Sequence, residues 1–109
     1  MDDYTFFADL VRELPEIPAD SIVSRNLLKN EHMDVILFGF AAGQELSEHT
    51  SSRPAMLYFV DGEADLTLGG EKMTAVPHTF TTMRPHLPHS ILAHTPVTML
   101  LIMLKTPRS

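Results

Sequence analysis

Short apolar stretches, repeatedly interrupted by turn residues, limit what this chain can fold into more than any other feature. From Ile22 onward apolar and polar residues mostly alternate, and turn signals such as Asp61-Gly62, Gly69-Gly70 and Thr95-Pro96 separate the stretches. A period of two is typical of β-strands with one buried face, and glycine supplies the positive φ that hairpin turns need. About eight or nine closely spaced strands predict an all-β sandwich or closed barrel. Apart from a first strand that starts at Ile22, the clearest of these are Met33–Phe40, Ala55–Val60, Glu63–Leu68, Glu71–Val76, Thr79–Met83, His89–Ala93 and Val97–Leu104.

Residues 2 to 14 carry a different, helical pattern. Their apolar residues form one stripe with a period near 3.6, and the stripe consists of Phe6, Phe7, Leu10, Val11 and Leu14. Asp2 or Asp3 would cap a helix here, and Pro15 would end it. We therefore expect residues 1–19 to be a short α-helix with its connector, and residues 20–109 to be a single barrel domain.

Composition excludes several classes of function. The net charge of −6 and the absence of a Lys/Arg cluster disfavour nucleic-acid binding. No apolar run approaches the roughly 20 residues of a membrane-spanning helix. There are no cysteines, so disulfides and thiolate metal sites are excluded. Asp2 and Asp3 replace the basic start of a secretory signal, and we expect a cytoplasmic protein.

Two histidine-bearing motifs stand out within this framework. In the first, five residues separate Gly43 from His49, one separates His49 from Ser51, three lead to Ala55 and six lead to Gly62. The second is His89, preceded by the proline-rich stretch from Arg84 to Pro88. The two motifs can meet only if the chain folds back on itself, as it does in a small antiparallel barrel.

The spacing of these motifs resembles that of the cupins, and in particular of small single-domain cupins of the conserved-barrel type. The resemblance covers roughly residues 20 to 105 and implies a double-stranded β-helix, which is a jelly-roll-like barrel. The first motif is incomplete, because Ser51 stands where a second His is usual and Ala55 where a Glu is usual. Arg84 and His86 also depart from the subgroup, which tends to have Pro and Asn there.

Metal-bearing cupins place three His and one Glu around a divalent metal inside the barrel, and the resemblance leaves His49 and His89 of that set here. A third ligand would come from His86, our first choice, or from Glu48 or Gln44. Because catalytic metal sites usually have three protein ligands, we expect a zinc, iron, manganese or nickel ion to be weakly held or absent. The alternative is a hydrogen-bonded histidine pair that lines an empty or ligand-filled pocket. His32, His78 and His94 are expected to be surface or turn residues.

Three functions remain open. The first is binding of a small molecule inside the barrel, with His49 and His89 fixing a polar group. The lining expected for that pocket is Ser51, Phe38, Phe40, Met56, Tyr58, Phe80 and Met83. The second is a metal-dependent oxygenase, isomerase or decarboxylase, and the third is a scaffold without a ligand. The strands Met33–Phe40 and Val97–Leu104 are apolar on both faces, so we also expect a homodimer.

Overall fold

A computed structural model describes residues 3–105 and shows nine β-strands in that part of the chain. Their bounds lie within a few residues of those expected from the alternation, and the all-β prediction is confirmed. Asp2 and residues 106–109, which belong to the two predicted segments of the chain, lie outside the described residues. The strands are β1 (Ile22–Lys29), β2 (Met33–Phe40), β3 (Glu45–His49), β4 (Ala55–Asp61), β5 (Ala64–Leu68), β6 (Glu71–Ala75), β7 (Phe80–Met83), β8 (His89–Ala93) and β9 (Val97–Leu104).

The strands form two antiparallel sheets. One has five strands in the order β1-β2-β9-β4-β7, and the other has four in the order β3-β8-β5-β6. Neighbours in each sheet are mostly distant in sequence, so that β8 lies between β3 and β5 and β9 lies between β2 and β4. This order brings the two histidine motifs, on β3 and β8, to adjacent strands of the four-stranded sheet.

The core lies between the two sheets and follows from the alternation. In β4 the side chains of Ala55, Leu57 and Phe59 are buried, whereas Met56 and Tyr58 between them are only partly buried. The same cluster takes in Ile91 from the facing sheet. Complete burial of a Leu or Phe side chain stabilises a fold by about 1.5–3 kcal/mol, so this cluster dominates the stability of the domain.

The five-stranded sheet is also covered on its outer face, by the N-terminal segment. Leu37, which alternates with the core residue Phe40, is itself 0% exposed. Ile17 packs so close to Gly39 that an ideal Cβ on that glycine would lie 2.8 Å from Ile17 Cγ1. The guanidinium of Arg25 on β1 also binds the side chain of Glu13 at 2.7 Å. Apolar residues on both faces of β2 are therefore explained within one chain.

The predicted N-terminal α-helix is wrong. The structure has only a four-residue 3-10 turn at Leu10–Glu13, and the Asp9 carboxylate caps it by accepting a hydrogen bond from the Val11 N–H at 3.1 Å. Phe6 is 76% exposed and Val11 39% exposed, so the apolar stripe is not buried as a unit. A short helix is costly to nucleate, and packing of the connector on the sheet replaces it here. No helix among residues 3–105 is long and apolar enough to span a membrane.

A partly buried ion pair joins the loop after β3 to the start of β2 and the end of β9. The Arg53 guanidinium donates to the Asp34 carboxylate at 2.9 Å and to the carbonyl oxygens of Leu104 and Met103 at 3.0 and 3.1 Å. The hydrogen bond from Arg53 lowers the pKa of Asp34 below its usual value, against the opposing effect of burial, and the nearby charge of Lys105 lowers it further. The loop after β3 is thereby attached to the five-stranded sheet.

Candidate functional site

A β-bulge in β3 brings the two motif histidines together. Leu46 lies opposite Ile91 and His49 lies opposite His89, so three steps along β3 match two steps along β8. Without the extra residue, Glu48 rather than His49 would share the inner face with Leu46. The two imidazole rings lie 4.1 Å apart between centroids, at an interplanar angle of 58°.

The two rings are anchored in the same way. The Nδ1 of His49 lies 2.8 Å from the Ser47 carbonyl oxygen, and the Nδ1 of His89 lies 2.9 Å from the Leu87 carbonyl oxygen. A carbonyl oxygen only accepts hydrogen bonds, so Nδ1 carries the proton in each ring and the Nε2 of the neutral imidazole keeps its lone pair. Neither Nε2 has a hydrogen-bond partner within residues 3–105. Both rings therefore present a free acceptor or ligand atom.

Burial distinguishes the two histidines. His49 is exposed on an edge strand, whereas His89 is 8% exposed. Burial is the main cause that lowers the pKa of His89 below 6.5, because an imidazolium loses hydration there. The hydrogen bond to the Leu87 carbonyl opposes this shift, and the neighbouring His49 adds to it. His89 is therefore neutral near pH 7, and its Nε2 is available as an acceptor.

No third metal ligand joins this pair. Among residues 3–105, no group of three or more His, Cys, Asp or Glu side chains lies close enough to hold a metal ion. His86 and Glu48, both considered as third ligands, thus do not complete a site with His49 and His89. Gln44 precedes β3, at the end of the strand opposite to His49.

The two departures from the cupin motif are occupied in other ways. The Ser51 hydroxyl accepts a hydrogen bond from the Arg53 N–H at 3.1 Å and lies 3.9 Å from the Met103 sulfur. Ala55 is 5% exposed and forms part of the apolar core. A metal centre with three His and one Glu does not fit the residues present, which offer two ring nitrogens.

His86 belongs to a tight turn that leads into β8. The Leu87 N–H donates to the Arg84 carbonyl at 3.3 Å, with Pro85 second in the turn and His86 third, at a φ of 69°. This is the arrangement of a type II turn, whose third position favours Gly or Asn. The His86 N–H donates to the Ser51 carbonyl at 2.6 Å, which joins this turn to the loop after β3.

Three of the residues expected to line a pocket do lie on the inner side of the five-stranded sheet. Phe40 and Met83 are 0% and 5% exposed and belong to the core cluster, and Phe38 packs against it. Phe38 lies opposite Met99 in the sheet, as does Phe59.

The other three lie on the outer face, and this corrects the expectation for them. Met56 and Tyr58 alternate with the buried residues of β4. Tyr58 lies opposite Phe80, which is 57% exposed. The Tyr58 hydroxyl is hydrogen-bonded to His78 Nδ1 rather than to any group of the histidine pair.

The sequence did not point to the residues that enclose His89. Leu68 lies opposite His89 across the β5–β8 pairing. An ideal Cβ on Gly69 would lie 3.3 Å from Leu87 Cδ1, so Leu87 packs against the β5–β6 turn. Leu68 ends an alternating apolar series, which marks it as inward-facing, but its strand partner is not visible in the sequence.

The remaining histidines are exposed and lie apart from the pair. His32 lies 3.4 Å from Glu31, and the Nε2 of His94 lies 2.9 Å from the Asp65 carboxylate. The hydrogen bond from His94 is the main cause that lowers the pKa of Asp65.

No protein-family model and no curated protein matches this chain. Solved structures do match it. A cupin superfamily protein from Desulfitobacterium hafniense is 26% identical, with 89% of each chain covered and a TM-score of 0.82. A conserved protein of unknown function from Streptococcus pyogenes is 26% identical over 98% of this chain and 93% of the other, with a TM-score of 0.84. An RmlC-like cupin from Shewanella frigidimarina, 17% identical over 98% and 95% of the two chains, shares the fold with a TM-score of 0.78. With its two antiparallel sheets and this strand order, the chain has the fold of a small cupin domain.

Proposed function

We propose that this cupin binds a small molecule beside the inner faces of its sheets and that His49 and His89 hold a polar group of that molecule. The observation that carries this proposal is the matched anchoring of the two rings. Each Nδ1–H is held by a backbone carbonyl two residues earlier, and neither Nε2 has a hydrogen-bond partner in the part of the chain that the structure describes. Two free acceptors side by side suit a ligand with hydroxyl or amide donors.

The surroundings of the pair support a binding role. His89 is buried beside apolar side chains, so a hydrogen bond to its Nε2 would face little competition from water. His49 is exposed at the sheet edge, which leaves a side from which a ligand can enter. A largely apolar site with a few convergent polar groups is the usual form of a small-molecule site.

A metal-dependent cupin enzyme of the oxygenase, isomerase or decarboxylase type is the second candidate. The free Nε2 atoms favour it, because metal-ligating imidazoles typically donate their other N–H to a carbonyl or carboxylate. Two nitrogens alone would hold a zinc, iron, manganese or nickel ion weakly, with the remaining ligands supplied by water or by the bound molecule.

Elemental analysis and ligand screening of tag-free protein test these proposals together. The variants are His49→Ala/His89→Ala and, as a matched control that also removes two histidines, His32→Ala/His94→Ala. For the binding proposal we expect a small molecule that raises the melting temperature of the wild type and of the control but not of the site variant. Metal near one ion per chain that is lost only from the site variant would support the enzyme candidate. A ligand that stabilises all three proteins equally would refute the role of the histidine pair.

We also propose that the domain forms a homodimer. Large apolar side chains remain exposed in the described part of the chain, among them Tyr4 at 80%, Phe6 at 76% and Phe80 at 57%. Exposed apolar surface of this kind is typical of interaction sites. Light scattering at micromolar concentration is expected to give twice the mass of the chain, and a monomeric mass would contradict the proposal.

A further inference from the structure

The turn before β8 presents side chains rather than backbone groups to its surroundings. The Leu87 N–H is bonded to the Arg84 carbonyl and the His86 N–H to the Ser51 carbonyl. With Pro85 lacking an N–H, the backbone donors of these three residues are engaged or absent. A ligand that needs hydrogen-bond donors finds no free N–H from Pro85 to Leu87, so the side chains of Arg84 and His86 are the donors that this turn offers it.

A cavity of about 350 Å³ lies at this turn. Its lining is Arg84, Pro85, His86, Leu87 and Pro88. One lining residue also contacts the histidine pair, because the carbonyl oxygen of Leu87 accepts the Nδ1–H of His89 at 2.9 Å. Leu87 therefore connects the cavity to His89.

The charges of its lining residues give the cavity a preference for an anionic ligand. The chain has a net charge of −6, yet it contains no Asp or Glu after Glu71. The elements β7, β8 and β9 and their connections accordingly carry no carboxylate, whereas the cavity is lined by a guanidinium and an imidazole. A guanidinium is always protonated and its fork of N–H donors matches carboxylate and phosphate oxygens, and an imidazole always keeps at least one N–H donor.

We propose that this cavity binds the acidic group, a carboxylate or a phosphate, of the small molecule that the histidine pair holds. The inference rests on the proposed function and specifies the ligand as an anion with a hydroxyl or amide portion. Arg84 supplies the charge, and His86 supplies a second donor from a turn that two backbone hydrogen bonds and Pro85 hold in place.

The test is a titration of the full chain with malonate and with inorganic phosphate at constant ionic strength, followed by the imidazole resonances of His86 and His89. Uncharged malonamide is the matched control ligand. We expect saturable shifts at His86 with at least one of the two anions and none with malonamide. Tighter binding of malonate would identify a carboxylate ligand, and tighter binding of phosphate a phosphate ligand.

Three variants separate this inference from the proposed function. Arg84→Gln removes the positive charge but keeps a polar side chain, and it is expected to weaken anion binding on the order of tenfold. His86→Asn removes the imidazole, but Asn accepts the positive φ of the turn, and a several-fold loss is expected. His49→Ala/His89→Ala tests whether the histidine pair itself binds the anion. The control His32→Ala/His94→Ala, whose two histidines lie apart from the turn, is expected to change anion binding by less than about twofold.

Two outcomes overturn the inference. One is the absence of saturable binding of either anion to the wild type, or binding that neither Arg84→Gln nor His86→Asn weakens. The other is anion binding that His49→Ala/His89→Ala abolishes and Arg84→Gln retains. That result would assign the anion site to the histidine pair, and the proposed function would still hold. A third result is possible, in which anion binding depends on Arg84 but no ligand is found that binds His49 and His89. That result would refute the proposed function and leave the anion site at the turn.

Discussion

Gly62, in the turn between β4 and β5, is expected to tolerate no side chain. An ideal Cβ there would lie 2.1 Å from the Pro96 carbonyl oxygen and 2.8 Å from the Val97 Cα. Both contacts are with backbone, so no side-chain rotation would relieve them. Gly62→Ala must therefore push the β4–β5 turn away from the β8–β9 turn.

Gly70 provides the matched control. Its φ of 84° is close to the 88° of Gly62, but nothing lies within 4 Å of an added Cβ. Left-handed backbone costs an alanine roughly 1–2 kcal/mol, and the smaller conformational freedom of the unfolded chain offsets about 0.4–1 kcal/mol of this. We expect Gly70→Ala to lower the free energy of unfolding by about 1 kcal/mol. Gly62→Ala bears an additional steric cost of about 1–3 kcal/mol.

Urea unfolding followed by far-ultraviolet circular dichroism measures both variants against the wild type. The difference between the two variants isolates the steric contact, since the backbone conformation is shared. Equal loss of stability in Gly62→Ala and Gly70→Ala would refute the close approach of the two turns. Because the β8–β9 turn follows directly on β8, such a result would also undermine the placement of β8 and its histidine.

Three further predictions concern the site and its support. The pKa of His89 is lowered in the folded protein, so its contribution to stability is greatest above pH 6.5. As the pH falls from about 6.5 to that lowered pKa, the free energy of unfolding decreases by at most about 1.4 kcal/mol per pH unit. His89→Gln should flatten this slope in pH-dependent urea titrations, and an unchanged slope would assign it elsewhere. In the same assay, Phe59→Ala should lower the free energy of unfolding by about 3–5 kcal/mol. Phe80 is 57% exposed, so Phe80→Ala should lower it by less than about 1 kcal/mol. Equal losses would contradict the faces assigned to these two residues. Arg53→Ala should lower the melting temperature more than Lys72→Ala, since the Arg53 pair is partly buried and Arg53 also donates to two backbone carbonyls, whereas Lys72 is largely exposed. The reverse order would count against a stabilising role of the Arg53 pair.

Most of the fold was predictable because strand alternation and turn chemistry are local properties. The period of two from Ile22 onward marks strands wherever one face is buried, and Asp61-Gly62 and Gly69-Gly70 mark two of the turns. The prediction of an N-terminal α-helix was wrong because the structure of that segment depends on distant residues. Its apolar residues repeat with a helical period, but where they pack is decided by the outer face of a sheet formed much later in the chain, with Ile17 against Gly39.

The residues expected to line a pocket divide between the two faces of the five-stranded sheet, because apolar character alone does not identify a face. Met56 and Tyr58 are large side chains with mostly apolar surface, like Leu57 between them, and their opposite orientation follows from parity along β4. That parity was already present in the sequence, so the error lay in grouping residues by type rather than by position. The exposure of Phe80 follows in the same way from its pairing with Tyr58.

The placement of His49 could not be predicted from parity at all. Counting by two from Leu46, an inward residue, reaches Glu48 and turns His49 outward. The bulge that reverses this exists only in the register between β3 and β8, where Leu46 pairs with Ile91 and His49 with His89. A carboxylate beside His89 would form an ion pair with it and favour the charged imidazole, whereas a second imidazole disfavours that charge. The extra residue in β3 therefore decides that two imidazole rings, rather than an imidazole and a carboxylate, lie side by side at the site, which is the property on which the proposed binding function depends.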